Sequence, residues 1–155
     1  MAISPNTDFT SGQILTADQQ NRFPRGVMAF TTVATSDNTI TAEEVQITGA
    51  SFTAVANRYY KVTYFEPDPN SVTATGFLAA RIRSTNLAGT PRQISYTQLP
   101  TAGITNSSIT CVWIGTLTAG SQNFVATLQS GAGTAAASRA ADTFAFLLVE
   151  DIGPA

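Results

Sequence analysis

The sequence predicts an all-β protein: a single antiparallel β-sandwich with a short N-terminal arm. Three observations lead there. Roughly a quarter of the 155 residues are Thr or Ser, only 12% are charged, and 43% are hydrophobic. Thr is β-branched and suits a pleated, half-buried surface, and this balance is the reverse of that of a disordered chain. Apolar residues also recur in short runs with the two-residue period of strands, and Gly, Pro, Asn and Asp separate those runs at short intervals.

Taken in order, residues 1–24 differ from the rest. Asp8 to Gly12 reads as a turn, and Leu15 to Phe23 as one or two helical turns with Thr16 as N-cap, ended by Pro24. This piece has too few apolar residues to fold alone, so it is an arm, either clamped to the main domain or docked elsewhere. Residues 25–155 form the sandwich domain. Strands are expected over Val27–Ala34, Thr39–Thr48, Ser51–Ala56 and Tyr59–Glu66, where Tyr60, Val62 and Tyr64 share one face. Glu66-Pro67-Asp68-Pro69-Asn70 has the chemistry of a solvated turn. Further strands are expected over Phe77–Arg83, Gln93–Leu99, Ile109–Thr118 and Gln122–Leu128, with Ala119-Gly120-Ser121 read as a hairpin. Ser130 to Ser138 is a low-complexity stretch of small residues, expected as a loop. In the last strand, Thr143–Glu150, Phe144, Phe146 and Leu148 alternate with Ala145, Leu147 and Val149. Both faces are apolar, so this strand is expected at the centre of a sheet or at a subunit interface. Eight or nine such strands favour a jelly-roll topology, with an immunoglobulin-like sandwich second.

Composition also limits the chemistry. The net charge is −2, there is no basic run, and Gln93 to Ser138 carries no charge at all. Nucleic-acid binding is therefore not expected, and neither is a membrane span. The N-terminal residues, with Pro5 and Asp8, do not read as a secretory signal, which leads to an expectation of synthesis in a cytoplasm. The chain has no His, which removes the commonest general base and metal ligand. Cys111, the single cysteine, sits in an apolar run and is expected as a buried thiol without reactivity. Glu43-Glu44 and Glu150-Asp151 are adjacent in strands and so face opposite ways. No cofactor, bound metal or catalytic residue is expected, and the chain is read as a non-enzyme. Glu66, Asp68 and Asn70 could offer oxygens to Ca²⁺, but a polar turn explains them more simply. Tyr59 and Tyr96 are candidates for a ligand platform that would take carbohydrate. Most of the aromatics, with Tyr60, Tyr64 and Trp113 among them, suit the core better.

Two stretches resemble a known family. Phe9-Thr10-Ser11-Gly12-Gln13-Ile14-Leu15-Thr16-Ala17-Asp18-Gln19-Gln20-Asn21, followed by Phe23-Pro24-Arg25-Gly26-Val27, is similar to the opening of small tailed-phage virion proteins. Phe146 to Pro154 resembles the ending of minor structural proteins of phages of actinobacteria and related hosts. This resemblance implies a virion structural protein, either capsid decoration or a minor tail protein. Its partners would be the major capsid protein or tail proteins, and Phe9, Leu15, Asn21 and Phe23 would anchor it to the particle. Asp142 to Leu148 is also similar to the last strand of trimeric jelly rolls of the tumour-necrosis-factor and complement-head type. That likeness implies a homotrimer with Phe144, Phe146 and Leu148 at its interface.

Overall fold

The computed structural model describes residues 11–73, 76–99 and 107–155. The helical turn of the arm is α1 (Ala17–Asn21). Thr16 caps it as expected: its hydroxyl accepts from the Gln19 N–H at 3.2 Å, and the Gln19 side chain accepts from the Thr16 N–H at 3.0 Å. This reciprocal capping box satisfies donors that a helix of five residues could not satisfy by itself.

Beyond the arm, two four-stranded antiparallel sheets face each other. One contains β1 (Gly26–Val33), β5 (Arg58–Glu66), β9 (Ile109–Thr116) and β13 (Ala145–Pro154), in the order β1-β13-β5-β9. The other contains β3 (Glu44–Thr48), β7 (Gly76–Ser84), β8 (Pro91–Leu99) and β11 (Phe124–Ser130), in the order β3-β11-β7-β8. Among these eight strands the first pairs with the last, the second with the seventh, the third with the sixth and the fourth with the fifth. The chain is thus one long antiparallel hairpin rolled so that its arms fall into two sheets, which is the jelly-roll topology. The immunoglobulin-like alternative is excluded by this nesting. Short strands close the connections: β2 (Asp37–Ile40), β12 (Ala135–Ala137) and β6 (Pro69–Ser71) form one small sheet, and β4 (Phe52–Ala54) pairs with β10 (Gly120–Gln122).

Between the sheets lie Tyr60, Val62 and Tyr64 of β5, Leu147 and Val149 of β13, Ile82 of β7, and Phe124 and Leu128 of β11. Phe52 stacks on Phe124 at 6.3 Å and tilts against Tyr60 at 5.7 Å, linking the two sheets. Trp113 packs on Phe124 at 5.6 Å, and Arg92 of β8 lies over its ring at 5.3 Å, closing the side of the sandwich where β8 approaches β9. Gly115 is required beneath this indole, because a Cβ there would fall 2.4 Å from it.

Four expectations from the sequence are corrected. The strand expected over Thr39–Thr48 is two, β2 and β3, because the chain passes to another sheet at Thr41–Glu43. Ala119-Gly120-Ser121 is not a hairpin turn, since β9 and β11 lie in different sheets and Gly120 to Gln122 pairs with β4. Part of the low-complexity loop is strand: Ala135, Ala136 and Ala137 are buried between β2 and β6, in a space that admits little beyond methyl groups. The supposed solvated turn at Glu66–Asn70 leads into β6, and Glu66 is fully buried.

Glu66 explains its own burial. Its carboxylate accepts from Arg139 Nε at 2.8 Å and Nη2 at 2.6 Å, and from the Tyr64 hydroxyl at 2.7 Å. Arg139 also donates to Gln46 Oε1 at 2.8 Å and to the Thr35 carbonyl at 3.2 Å. Burial and the neighbouring Glu66 carboxylate push the Tyr64 phenol well above its usual range. At the other end of β5, Arg58 pairs with Asp151 of β13, with Nη2 to Oδ1 at 2.8 Å and both side chains buried. A third group lies on the second sheet, where Glu43 accepts from Arg83 Nε at 2.6 Å and Nη2 at 2.7 Å and from the Thr127 hydroxyl at 2.6 Å.

Two outcomes follow from these groups. Arg139→Met leaves Glu66 buried without its cation and should cost about 3–5 kcal/mol in urea unfolding at neutral pH; an unchanged midpoint would mean that Tyr64 and solvent suffice for Glu66. The hydrogen bonds from Arg83 hold the Glu43 carboxyl below its ordinary value of 4.5, against the effect of burial. A carboxyl lowered in the folded state adds stability above its unfolded pKa, and this is lost as pH falls through the folded value. Glu43→Gln should therefore be less stable at neutral pH and should lose less on acidification below about pH 4.5, as read by thermal unfolding across that interval. An acid limb of unchanged slope would remove Glu43 as its source.

Candidate functional site

The outer face of the β1-β13-β5-β9 sheet is the main unusual surface. Strand register aligns three rows across it. Thr32, Phe146, Phe65 and Thr110 form one row, Phe30, Leu148, Thr63 and Val112 the next, and Val27, Glu150, Lys61 and Ile114 the third. In a sandwich this outward face is normally polar. Here Phe146 sits between Phe30 and Phe65, with ring centroids 5.8 and 5.4 Å away. Phe30 is 52% exposed and Ile114 55% exposed, so nothing in the described chain covers the face. Its charges are a single pair, Lys61 to Glu150 at 3.1 Å. In the middle of it the Thr63 hydroxyl is shielded from solvent without a hydrogen-bond partner. A contiguous apolar surface of this kind, with one balanced ion pair along it, suits association with another protein surface.

The interface residues expected from sequence fall on or beside this face. Phe146 and Leu148 lie in its first two rows, and Phe144 is exposed just before β13 begins. The strand itself is central, between β1 and β5, the first of the two places expected from its two apolar faces. Sequence reasoning missed Phe30, Phe65, Val112 and Ile114. The signal was there in β9, where Cys111 and Trp113 alternate with Val112 and Ile114, so that both faces are apolar.

Of the expected anchor residues, Phe9 lies outside the described residues. Leu15, Asn21 and Phe23 are exposed, and Ile14, not singled out from the sequence, is 87% exposed. The base of the arm is held: the Asn21 and Phe23 carbonyls each accept from Arg58, at 2.6 Å. Arg58 thus joins the arm to the sandwich while its Asp151 partner neutralises it.

Tyr59 and Tyr96 do not form one platform, since Tyr59 is on β5 and Tyr96 on β8 of the opposite sheet. Tyr96 is well exposed and meets Phe77 edge-on at 5.4 Å, whereas Tyr60 and Tyr64 are buried and Trp113 is half-buried. Glu66, Asp68 and Asn70 do not converge, because Glu66 turns to Arg139 and Asn70 donates to Ser138. Among the described residues no cluster of three metal-ligating acidic, His or Cys side chains exists. Glu43 and Glu44 point to different partners, Arg83 and Gln46. Glu44 instead neighbours Asp37, and both accept from Gln46 Nε2 at 3.0 Å. Burial works to raise the Asp37 carboxyl, yet hydrogen bonds from Gln46 and Thr39 and its bond with Glu44 hold it at about 2. Burial and the Asp37 charge push Glu44 up. Gln46 is fixed in turn by Arg139, so this carboxyl pair belongs to the scaffold around Glu66. Cys111 is buried, and burial raises its thiol.

No protein-family model matches the chain, and no curated protein matches it. Solved structures do. An Eiger TNF from S. frugiperda is 10% identical, with 86% of this chain and 94% of that chain covered and a TM-score of 0.42. A sugar-binding protein, the EclA C-terminal domain, is 13% identical, with 92% and 91% covered and a TM-score of 0.36. A chain of infectious bursal disease virus, Gx strain, is 11% identical, with 84% of this chain and 39% of that chain covered and a TM-score of 0.33. Likenesses at these scores assign neither a family nor a function.

Proposed function

We propose that this chain is a non-enzymatic structural subunit of a tailed-phage particle: a homotrimeric capsid decoration protein attached through its N-terminal arm. The observation that carries self-association is the uncovered apolar face of the β1-β13-β5-β9 sheet, with Phe146 and Leu148 of its central strand. A second copy is a fitting occupant, because the face has no net charge and its one ion pair is balanced internally. The stoichiometry of three rests on the likeness of Asp142–Leu148 to the last strand of trimeric jelly rolls. Attachment through the arm is supported by the exposed Ile14, Leu15 and Phe23, on a segment whose base Arg58 fixes to the sandwich. The phage assignment rests on the resemblance of the two chain ends. The partners are then other copies of the chain and the major capsid protein or tail proteins. Its place is the virion, after synthesis in the host cytoplasm. A second reading, a minor tail or fibre protein with a carbohydrate-binding role, draws on the exposed Tyr96–Phe77 pair.

Light scattering during gel filtration should give about three times the chain mass of 16.3 kDa. Phe146→Asp introduces an unpartnered charge into the face. It should shift the protein to monomer with its circular dichroism unchanged. A wild-type monomer, or a trimeric Phe146→Asp, would sink the self-association. Deleting residues 1–24 should leave a folded sandwich that no longer attaches to particles, and an unfolded product would make the arm part of the core. Quantitative mass spectrometry of purified particles should find capsid-scale copy number. A few dozen copies or fewer would favour the tail or fibre reading, and absence would overturn the virion assignment.

A further inference from the structure

The second sheet ends on a strand that is open along most of its length. Among the described residues β8 (Pro91–Leu99) is bonded to β7 alone. It is exposed from Pro91 to Ile94 and again at Tyr96 and Gln98. Even its inward row of Gln93, Ser95 and Thr97, which lies opposite the core residues Ile82, Ala80 and Leu78, is nowhere fully buried. An open edge of this length is a template for a further strand, and proteins usually block one with charge, proline or a bulge. Here Gln93 to Leu99 holds no charged residue and no proline. Pro91, Arg92 and the register shift in the ladder with β7 all fall at the end where the strand begins.

The outward row of β8 is apolar at its middle. Ile94 and Tyr96 stand opposite Arg81 and Ala79 of β7, and Gln98 opposite Phe77. Ile94 and Phe77 are exposed, and Tyr96 is 62% exposed. Phe77 meets Tyr96 edge-on and lies so close over Gly131 that a Cβ there would fall 2.4 Å from its ring. The fold thus holds an aromatic pair at the rim of the sheet, beside an edge that nothing in the sequence of the strand blocks.

The strand fits a second copy of itself. Two β8 strands set antiparallel about Ser95 bring Ile94 of each copy opposite Tyr96 of the other, and Gln93 opposite Thr97. Opposite residues share a face, so both Ile94–Tyr96 pairs lie on the outer side and cover the exposed rim. Each residue meets its counterpart reciprocally, which is the condition of a two-fold contact. The two Arg92 residues then stand six positions apart, about 20 Å at the strand rise. A pairing centred on Gln93 would bring them within two positions, where like charges repel.

We propose that β8 pairs antiparallel with β8 of a second copy about Ser95, joining two four-stranded sheets into one. The contact is separate from the apolar face, which lies on the other sheet, and it stands whether or not the chain is a virion part. One strand pair buries less than the roughly 1,200 Å² of a standard stable interface. It therefore links copies that are already close, in concentrated protein or in a larger assembly, and leaves the mass in dilute solution to the apolar face.

The test is disulfide trapping in the full chain. Ile94→Cys combined with Tyr96→Cys is oxidised in concentrated protein, and the linked peptides are read by mass spectrometry. Both positions are exposed, so circular dichroism should be unchanged. Position 94 of one copy should join position 96 of the other at least about tenfold more than 94 joins 94 or 96 joins 96, since those lie out of register and beyond the reach of about 7 Å between Cα atoms. Equal yields of the three links would mean random collision and overturn the pairing, and a dominant 94–94 or 96–96 link would overturn this register. As a second measurement, wild-type protein should show further association by sedimentation velocity as its concentration rises, and Ile94→Lys should abolish it. No concentration dependence in the wild type, or the same dependence in Ile94→Lys, would also overturn the proposal.

Discussion

Strand β5 has an ionised side chain facing inward at each end, and the rest of the structure is arranged around that constraint. Its inward row runs Arg58, Tyr60, Val62, Tyr64, Glu66, and every member is buried. A charge in an apolar interior is tolerable only with a well-placed partner. Both partners come from the last part of the chain: Asp151 for Arg58 and Arg139 for Glu66. The two pairs stand about 27 Å apart at the strand rise of an antiparallel sheet. Asp151 lies on β13, which must lie beside β5 for it to meet Arg58. Sheet register and ion pairing therefore specify the same arrangement, which is how buried pairs fix one structure even where an apolar substitute would be as stable.

The same two pairs organise the ends of the molecule. At one end Arg58 takes the carbonyls of Asn21 and Phe23, so the arm leaves the sandwich from a fixed base. At the other end Arg139 gathers Glu66, Gln46 and the Thr35 carbonyl. Between these ends runs the apolar outer face of β1, β13, β5 and β9. An arm at one end and an apolar flank alongside it give the molecule a direction.

Neutrality serves the flank. Most charges among the described residues are consumed internally, in Arg58–Asp151, Arg139–Glu66, Glu43 with Arg81 and Arg83, and Lys61–Glu150. The uncharged stretch from Gln93 to Ser138 supplies most of β8 and all of β9 and β11. Two of these, β8 and β9, are edge strands on the same side of the sandwich, where charged residues would ordinarily discourage pairing. Arg92, placed over Trp113, is the charged residue that guards this side.

The sequence by itself determined the all-β class, the strands with clear two-residue alternation, the capped turn of the arm and the central place of the last strand. Each of these depends on local propensity or on the side-chain pattern of one segment. Tertiary structure alone decided the rest. Glu66, just ahead of Pro67, looks like part of a solvated turn until Arg139, 73 residues later, is brought against it. Ala135–Ala137 looks like a loop until β2 and β6 close around it. The outer face was half legible: Phe146 and Leu148 stood out in a strand apolar on both sides, but Phe30 and Phe65 join them only through the register of three strands. Patterns within a strand say which way a residue faces, whereas what it meets there depends on contacts between distant segments that no local pattern encodes.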